Sequence, residues 1–355
     1  MKTLEVCYEL DFSKISFLER KVKIKSKKTF VYGAPKCGKT YLIYDYLANF
    51  DTNDYIYIDF KDFRNDLEEI RVHLSSFIIE KKIKILVLEN FDFSFELPKC
   101  ESIIISNHNK LTLENFEHLH VKALDFEEYL LHETRFHTAT QAFNNFLKYG
   151  NMPGVVNLEE HTKERRLQEI LRLYTKDETY EYILKILFLN IDEKKSLYQL
   201  FNTLKNQIKI SKDKFYATVK TFENSGLVYF LPKFNQEKAI KKVYSYNHAF
   251  LNAISHAKKF KNEFTNMVFL QLESNFEQIY YLDNIDFFIP SENYIILSIP
   301  FFNPLLKKGI EKKLNKVLKE YHIEKIDIVT VGYSENFFLN DIKVEVLPFF
   351  EWAVS

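Results

Sequence analysis

Residues 33–40, which read GAPKCGKT, limit the fold of this chain more strongly than any other segment. An apolar run, TFVY, precedes them and an apolar-periodic segment begins at Tyr41, so they join a predicted strand to a predicted helix. This context is that of a phosphate-binding loop, in which glycines let successive N–H groups turn inward and the helix adds its positive end. The segment therefore predicts a strand, loop and helix built around a triphosphate.

All eight loop residues are candidate nucleotide ligands: Gly33, Ala34, Pro35, Lys36, Cys37, Gly38, Lys39 and Thr40. We expect Lys39 to reach the β- and γ-phosphates and Thr40 to offer its hydroxyl to a magnesium ion. A glycine turn with a chance lysine does not explain why spacing, strand and helix agree. ATP and Mg²⁺ are therefore the predicted cofactors.

Strand and helix patterns alternate after the loop. The predicted elements are a strand at 54–59, a helix at 65–80, and strands at 83–88, 102–105 and about 119–124. This order predicts an α/β fold whose N-terminal, mostly parallel sheet is covered on both faces.

Polar residues follow the buried run at 83–88. Glu89 is expected to hold magnesium through water, as the acid at this place does in phosphate-loop ATPases. Many of them have a second acid next, where this chain has Asn90, whose amide cannot accept a proton. Asp92 is either a substitute for that acid or an ordinary loop residue. The sequence thus predicts nucleotide binding with weak or absent hydrolysis.

Composition excludes several classes of protein. Lysine plus arginine equals aspartate plus glutamate at 49 each, which argues against global attraction to nucleic acid or anionic membranes. The three cysteines, Cys7, Cys37 and Cys100, show neither disulfide nor zinc spacing. No apolar run approaches a membrane span, and Glu5 and Glu9 interrupt any secretory signal. We predict a cytoplasmic protein that does not bind membranes.

Two later segments carry a family resemblance. Residues 124–130 read LDFEEYL and residues 146–156 read FLKYGNMPGVV. They resemble motifs of prokaryotic AAA-type (AAA+) phosphate-loop ATPases that end in a C-terminal domain of unknown function, and the resemblance covers the whole chain. It implies a nucleotide-binding domain at 1–130, a helical lid or linker at 131–175, a winged helix at 176–250 and an α/β nuclease-like domain at 251–355.

The resemblance also implies a sensor of the γ-phosphate at the tip of the fourth strand, where Ser106 and Asn107 are candidates. The sequence Ser-Asn-His-Asn is equally typical of a turn, so a sensor and an ordinary turn both stay open as interpretations. An arginine finger is also expected, and the sequence does not distinguish among three candidates, Arg135, Arg165 and Arg166.

Residues 181–230 read as three helices followed by a β-wing, and the third helix carries Lys212, Lys214 and Lys220. A winged helix can read a DNA groove or contact a protein. Because no Arg or Asn/Gln pair stands out for bidentate base contacts, a structural role or a protein partner is favoured over DNA. Whether the protein partner is a second copy of this chain, in a homo-oligomer, stays open.

The C-terminal third resembles a nuclease module of the PD-(D/E)xK type, in which several carboxylates and a lysine surround magnesium. The matching positions here are Thr265, Asp286, Ser298 and Pro300, so only Asp286 keeps its carboxylate. One carboxylate does not hold a catalytic magnesium ion, and the module is predicted to be inactive.

The first hypothesis for the function of the whole chain is a nucleotide-dependent switch. The alternative is a DNA-binding regulator or adaptor with structural ATP.

Overall fold

The computed structural model describes residues 2–355, which form two compact units. The first comprises the chain up to Ala123 together with Asn224–Gly226, and the second comprises Leu124–Glu223 and Leu227–Ser355. The predicted division of the later chain into three domains stays a prediction. None of the helices in the described residues combines the length and hydrophobicity that a membrane crossing requires.

Strands and helices alternate in the first unit. Its strands are β1 (Lys28–Tyr32), β2 (Tyr55–Asp59), β3 (Ile85–Glu89), β4 (Ser102–Asn107) and β5 (Glu117–His120). Its α-helices are α1 (Lys2–Tyr8), α2 (Lys39–Leu47) and α3 (Leu67–Lys81). The strands form one parallel sheet in the order β2-β3-β4-β1-β5.

Apolar side chains cover both faces of this sheet. Val31, Val87 and Ile104 belong to one buried cluster with Leu42 and Ile43 of α2. Alternate strand residues belong to a second cluster with α1 and α3, as the two-residue repeat of a strand requires. The predicted α/β class with a parallel N-terminal sheet is therefore confirmed.

Two strand boundaries differ from the sequence prediction. The fourth strand continues to Asn107, because Val31 and Tyr32 of β1 pair with its last two residues. The fifth strand begins earlier than predicted and ends at His120. The apolar residues Val121 and Leu124 that suggested a longer strand are buried outside it.

The second unit contains most of the helices. They are α4 (Phe126–His132), α5 (Ala139–Tyr149), α6 (Pro153–Val156), α7 (Glu160–Arg172), α8 (Glu178–Phe188), α9 (Leu197–Lys205), α10 (Lys212–Asn224), α11 (Phe250–Ile254), α12 (Phe260–Asn275), α13 (Lys307–Glu320) and α14 (Phe349–Trp352). Its strands are β6 (Val228–Leu231), β7 (Lys242–Ser245), β8 (Tyr280–Leu282), β9 (Ile285–Ile289), β10 (Tyr294–Ser298), β11 (Lys325–Thr330), β12 (Glu335–Leu339) and β13 (Ile342–Pro348).

The strands of the second unit form two sheets. Strands β6 and β7 pair antiparallel after the three helices α8 to α10, which is the element order predicted for the winged helix. The other six strands form a mixed sheet in the order β12-β13-β11-β10-β9-β8, with parallel pairing between β10, β11 and β13. A C-terminal α/β region was predicted and is present.

The segment around Gly150, which carries part of the family resemblance, contacts Asn247. Gly150 ends α5 with φ 80°, and a Cβ atom there would overlap the Asn247 side chain. Pro153 starts α6, where the absence of its N–H has no cost. The turn therefore requires glycine for two reasons, its left-handed backbone and the close side chain.

The buried His248 makes the stability of the second unit depend on pH. Its Nε2 lies 2.8 Å from the Phe146 carbonyl oxygen, and burial lowers the pKa of His248 to about 4. An unfolded imidazole titrates near ~6.5, so the unfolded chain takes up the proton first and acid destabilises the fold. Between about pH 7 and about pH 5 we expect a loss of about 2 kcal/mol in the free energy of unfolding. Urea unfolding of wild type and His248→Gln measures this, and equal pH slopes would contradict it.

Candidate nucleotide-binding site

The loop between β1 and α2 is curled tightly by unusual backbone angles. Gly33 has φ 147°, Gly38 has φ 105° and Lys36 has φ 66°. A Cβ atom on Gly33 would overlap the carbonyl oxygen of Val121, so no other residue fits there. The glycines of the predicted motif are therefore required by a backbone that folds back on itself at the start of α2.

A buried arginine, which the sequence analysis did not identify, fastens this loop. Arg20 Nη1 donates to the Cys37 carbonyl oxygen (3.0 Å), and its Nη2 donates to the Lys122 carbonyl oxygen (2.8 Å). The guanidinium thus ties the loop to the chain that follows β5. Its surroundings, a stretch rich in solvated lysines, gave no sequence signal for this role.

Lys39 is buried, with 5% of its surface exposed. Its ammonium donates to the carbonyl oxygens of Gly33 (2.8 Å) and Ala34 (3.0 Å). In the described residues it forms no ion pair, although its charge opposes the rise that burial causes in the pKa of the nearby Glu89 carboxyl. A phosphate oxygen is a stronger acceptor for an ammonium than a carbonyl oxygen. Lys39 is therefore placed to exchange loop carbonyls for phosphate.

Glu89, at the end of β3, accepts hydrogen bonds from two hydroxyl groups. Thr40 Oγ1 donates to one carboxylate oxygen, and the Tyr57 hydroxyl donates to the other. Burial raises the pKa of Glu89, whereas these two hydrogen bonds lower it. Mg²⁺ in proteins keeps several waters and takes one or two carboxylates together with phosphate oxygens. The hydroxyl and carboxylate brought together here fit that requirement.

Ser106 and Asn107 face opposite environments at the tip of β4. Ser106 shares its register position with Glu89, is 1% exposed, and its Oγ has no hydrogen-bond partner in the described residues. Asn107 instead donates to the Phe91 carbonyl oxygen (2.9 Å) and accepts from the His108 N–H (2.7 Å). Ser106 is thus an unsatisfied polar group beside the site, whereas the Asn107 amide holds the turn.

Asn90 contacts an acid that the sequence analysis left unassigned. Its Nδ2 donates to Asp59 Oδ1 (2.8 Å), and Asp59 pairs in register with Glu89. Asp92 is exposed and accepts from the Ser94 N–H (3.0 Å). The only signal for Asp59 was its position at the end of a predicted strand.

His108 and Lys61 complete the edge of the sheet, and neither was predicted. His108 Nδ1 lies 3.2 Å from the Lys39 ammonium, and His108 Nε2 lies 3.1 Å from the Lys61 ammonium. Burial and the neighbouring lysines lower the pKa of His108 to about 3. The imidazole is therefore neutral at physiological pH and lies between two cations.

The candidate arginine fingers all have partners within the second unit. Arg135 pairs with the buried Glu133 and also donates to the carbonyl oxygens of Val156 (2.6 Å) and Leu158 (2.9 Å). Arg165 and Arg166 both pair with Glu169. Arg135 is thus held by Glu133 and by two backbone carbonyl groups. The assignment of an arginine finger stays a prediction.

The lysines of α10 have partners too. Lys214 lies 3.6 Å from Asp177, and Lys220 lies 2.9 Å from Glu223. Lys212 lies over the rings of Tyr198 and Tyr216. DNA binding through this helix stays a prediction.

The residues matched to the nuclease module lie near one another. Thr265 Oγ1 lies 3.1 Å from Ser298 Oγ, and the Ser298 N–H donates to Asp286 Oδ2 (2.8 Å). In the described chain, no three His, Cys, Asp or Glu side chains could hold a metal ion together. The inactivity of the module stays a prediction.

Comparison with known proteins gives distant similarities. No protein-family model matches the chain. An uncharacterised protein of Methanocaldococcus jannaschii is 22% identical over 406 aligned positions, which cover 96% of this chain and 92% of that protein. The Walker-type ATPase of Pyrococcus abyssi is similar in structure, with a TM-score of 0.44 and 12% identity over 65% of this chain and 91% of that one. The Aeropyrum pernix ORC1 protein in complex with DNA gives a TM-score of 0.35 and 14% identity over 65% and 87%. Values this low do not by themselves assign a family.

Proposed function

We propose that this protein binds ATP with Mg²⁺ on residues 33–40 and acts as a nucleotide-dependent switch of the AAA type. The observation that carries the proposal is the contact between Thr40 and Glu89 beside the buried ammonium of Lys39. Lys39 and Thr40 lie at the start of α2, and Glu89 lies at the end of β3, which is two places from β1 in the sheet. Together they supply the cation, hydroxyl and carboxylate that a magnesium-bound triphosphate needs.

Each residue has a defined role in this proposal. The backbone amides of the loop and the start of α2 bind phosphate oxygens, and Lys39 leaves the Gly33 and Ala34 carbonyls to join them. Thr40 and Glu89 would hold Mg²⁺, which neutralises phosphate charge when bound. The exchange of carbonyl for phosphate partners changes the loop, and this change is the signal of the switch.

Calorimetric titration with ATP tests the proposal, in the presence and absence of Mg²⁺. We expect binding that Mg²⁺ strengthens in the wild type. In Thr40→Val the Mg²⁺ effect should fall by about tenfold, because the hydroxyl ligand is lost while the shape is kept. Thr52→Val, an exposed threonine outside the site, is the matched control. A wild-type protein that releases no heat with ATP and Mg²⁺ would refute the function.

Hydrolysis is expected to be slow because Asn90 cannot accept a proton from water. Its amide also donates to Asp59, which keeps that carboxylate engaged. Introducing a base with Asn90→Glu should raise ATP turnover, by up to about 100-fold if general-base catalysis is restored. Asn109→Glu, on the exposed turn after β4, is the control. Phosphate release measures both, and unchanged turnover in Asn90→Glu would favour a structural nucleotide.

A further inference from the structure

Lys39, His108 and Lys61 form a row of nitrogen groups in which neither ammonium forms an ion pair within the described residues. The two ammonium groups lie 3.2 Å and 3.1 Å from the two ring nitrogens of one imidazole. An ammonium only donates hydrogen bonds, and a neutral imidazole has one acceptor nitrogen and one N–H. One of the two contacts must therefore place an N–H group against a cation.

Burial raises the pKa of the Glu89 carboxyl and the nearby Lys39 ammonium opposes this rise, but no carboxylate in the described residues forms an ion pair with either lysine. Neither Lys39 nor Lys61 forms an ion pair there, although Lys39 is buried and Lys61 is exposed. The Lys61 backbone N–H donates to Asp59 (2.9 Å), so the nearby carboxylate is held by the main chain and by Asn90. Two positive charges thus converge on one imidazole at the carboxyl edge of the sheet.

A second observation at the same edge also points to a ligand that accepts hydrogen bonds. Ser106 Oγ, two residues before His108, is buried without a hydrogen-bond partner in the described part of the chain. A buried hydroxyl that is left unsatisfied destabilises a fold unless a ligand or water completes it. Cations, an imidazole N–H and a hydroxyl are together the donors that a phosphate group requires.

We propose that Lys61 and His108 bind the terminal phosphate of the nucleotide, so that the site distinguishes a triphosphate from a diphosphate. This inference rests on the proposed function and adds a lysine from the connection between β2 and α3. A phosphate between Lys39 and Lys61 accepts from both ammonium groups and from the His108 N–H. A diphosphate on the same loop lacks the group that those donors bind, and the unfavourable contact stays.

Calorimetry on the full chain with ATP and with ADP, both with Mg²⁺, tests this role. In Lys61→Met and in His108→Leu we expect ATP affinity to fall about tenfold or more while ADP affinity stays within about twofold. Tripolyphosphate and pyrophosphate, which lack the nucleoside, should show the same contrast. Lys99→Met and His73→Leu replace exposed residues of the same types and should change neither affinity.

The outcomes separate this inference from the function on which it rests. Equal loss of ATP and ADP affinity in Lys61→Met, or no loss of either, would overturn the inference and leave nucleotide binding intact. A wild type that binds ATP no more tightly than ADP would overturn it as well. A wild type that binds neither nucleotide would refute both proposals. Thermal unfolding of each variant shows whether a loss of affinity comes from misfolding.

Discussion

Lys39→Met should lower the affinity for ATP with Mg²⁺ by roughly 100-fold or more. The ammonium is buried, and its hydrogen-bond partners in the described residues are carbonyl, imidazole and thiol groups. Removing one partner of a buried, hydrogen-bonded charge pair typically costs about 2–5 kcal/mol, and 100-fold corresponds to about 2.7 kcal/mol. Methionine keeps the apolar stem, so the loss isolates the charge. Calorimetric titration of wild type and variant provides the measurement.

Lys99→Met is the matched control because Lys99 is an exposed lysine outside the candidate site. We expect its ATP affinity to stay within about threefold of wild type, since an exposed charge is screened by solvent. Equal affinities for wild type and Lys39→Met would show that the loop does not bind phosphate through its lysine.

The parallel sheet and the loop could be predicted because both leave local signals in the sequence. Glycine spacing, apolar runs of strand length and helical periodicity each involve residues close together in the chain. The order of the strands leaves no such signal. Strand β4 lies between β1 and β3, and this places Ser106 beside Glu89.

The contacts that complete the site depend on that strand order. Lys61 and His108 are 47 positions apart, and only the meeting of two strand ends brings their side chains together. Ser106 and Asn107 are adjacent in the sequence, and the alternation of side chains along a strand decides which of them faces Glu89. In the second unit, Lys242 and Asp192 lie within the predicted winged helix, yet Lys242 also lies 4.0 Å from Asp286 of the predicted nuclease module. Sequence reasoning that treats predicted domains separately does not find such a cluster.

That cluster makes Lys242 essential for the stability of the second unit. Lys242 Nζ lies 2.6 Å from Asp192 and 4.0 Å from Asp286, and Lys242 and Asp192 are almost fully buried. Tyr244 also donates to Asp192 (2.7 Å), and the Ser298 N–H donates to Asp286. Lys242→Met leaves the buried Asp192 carboxylate without its ion-pair partner and removes a cation from beside Asp286. Breaking a buried ion pair in this way costs about 3–5 kcal/mol, and we expect a loss of that size in urea unfolding.

Charge compensation, rather than packing, is the expected cause of this loss. A control variant, a double variant and the pH dependence of the loss test it. Lys241→Met, at the exposed neighbouring position, should change the free energy of unfolding by less than about 0.5 kcal/mol. Adding Asp192→Asn to Lys242→Met should restore part of the stability because one unpaired charge is removed.

Acid should also reduce the difference between Lys242→Met and wild type. Burial and Asp192 already raise the pKa of Asp286, and Lys242 opposes this rise. Without the lysine the folded state binds a proton more readily than the unfolded state, so the variant gains stability relative to wild type as the pH falls. A loss in Lys242→Met that stays the same at every pH and in the double variant would assign the effect to packing.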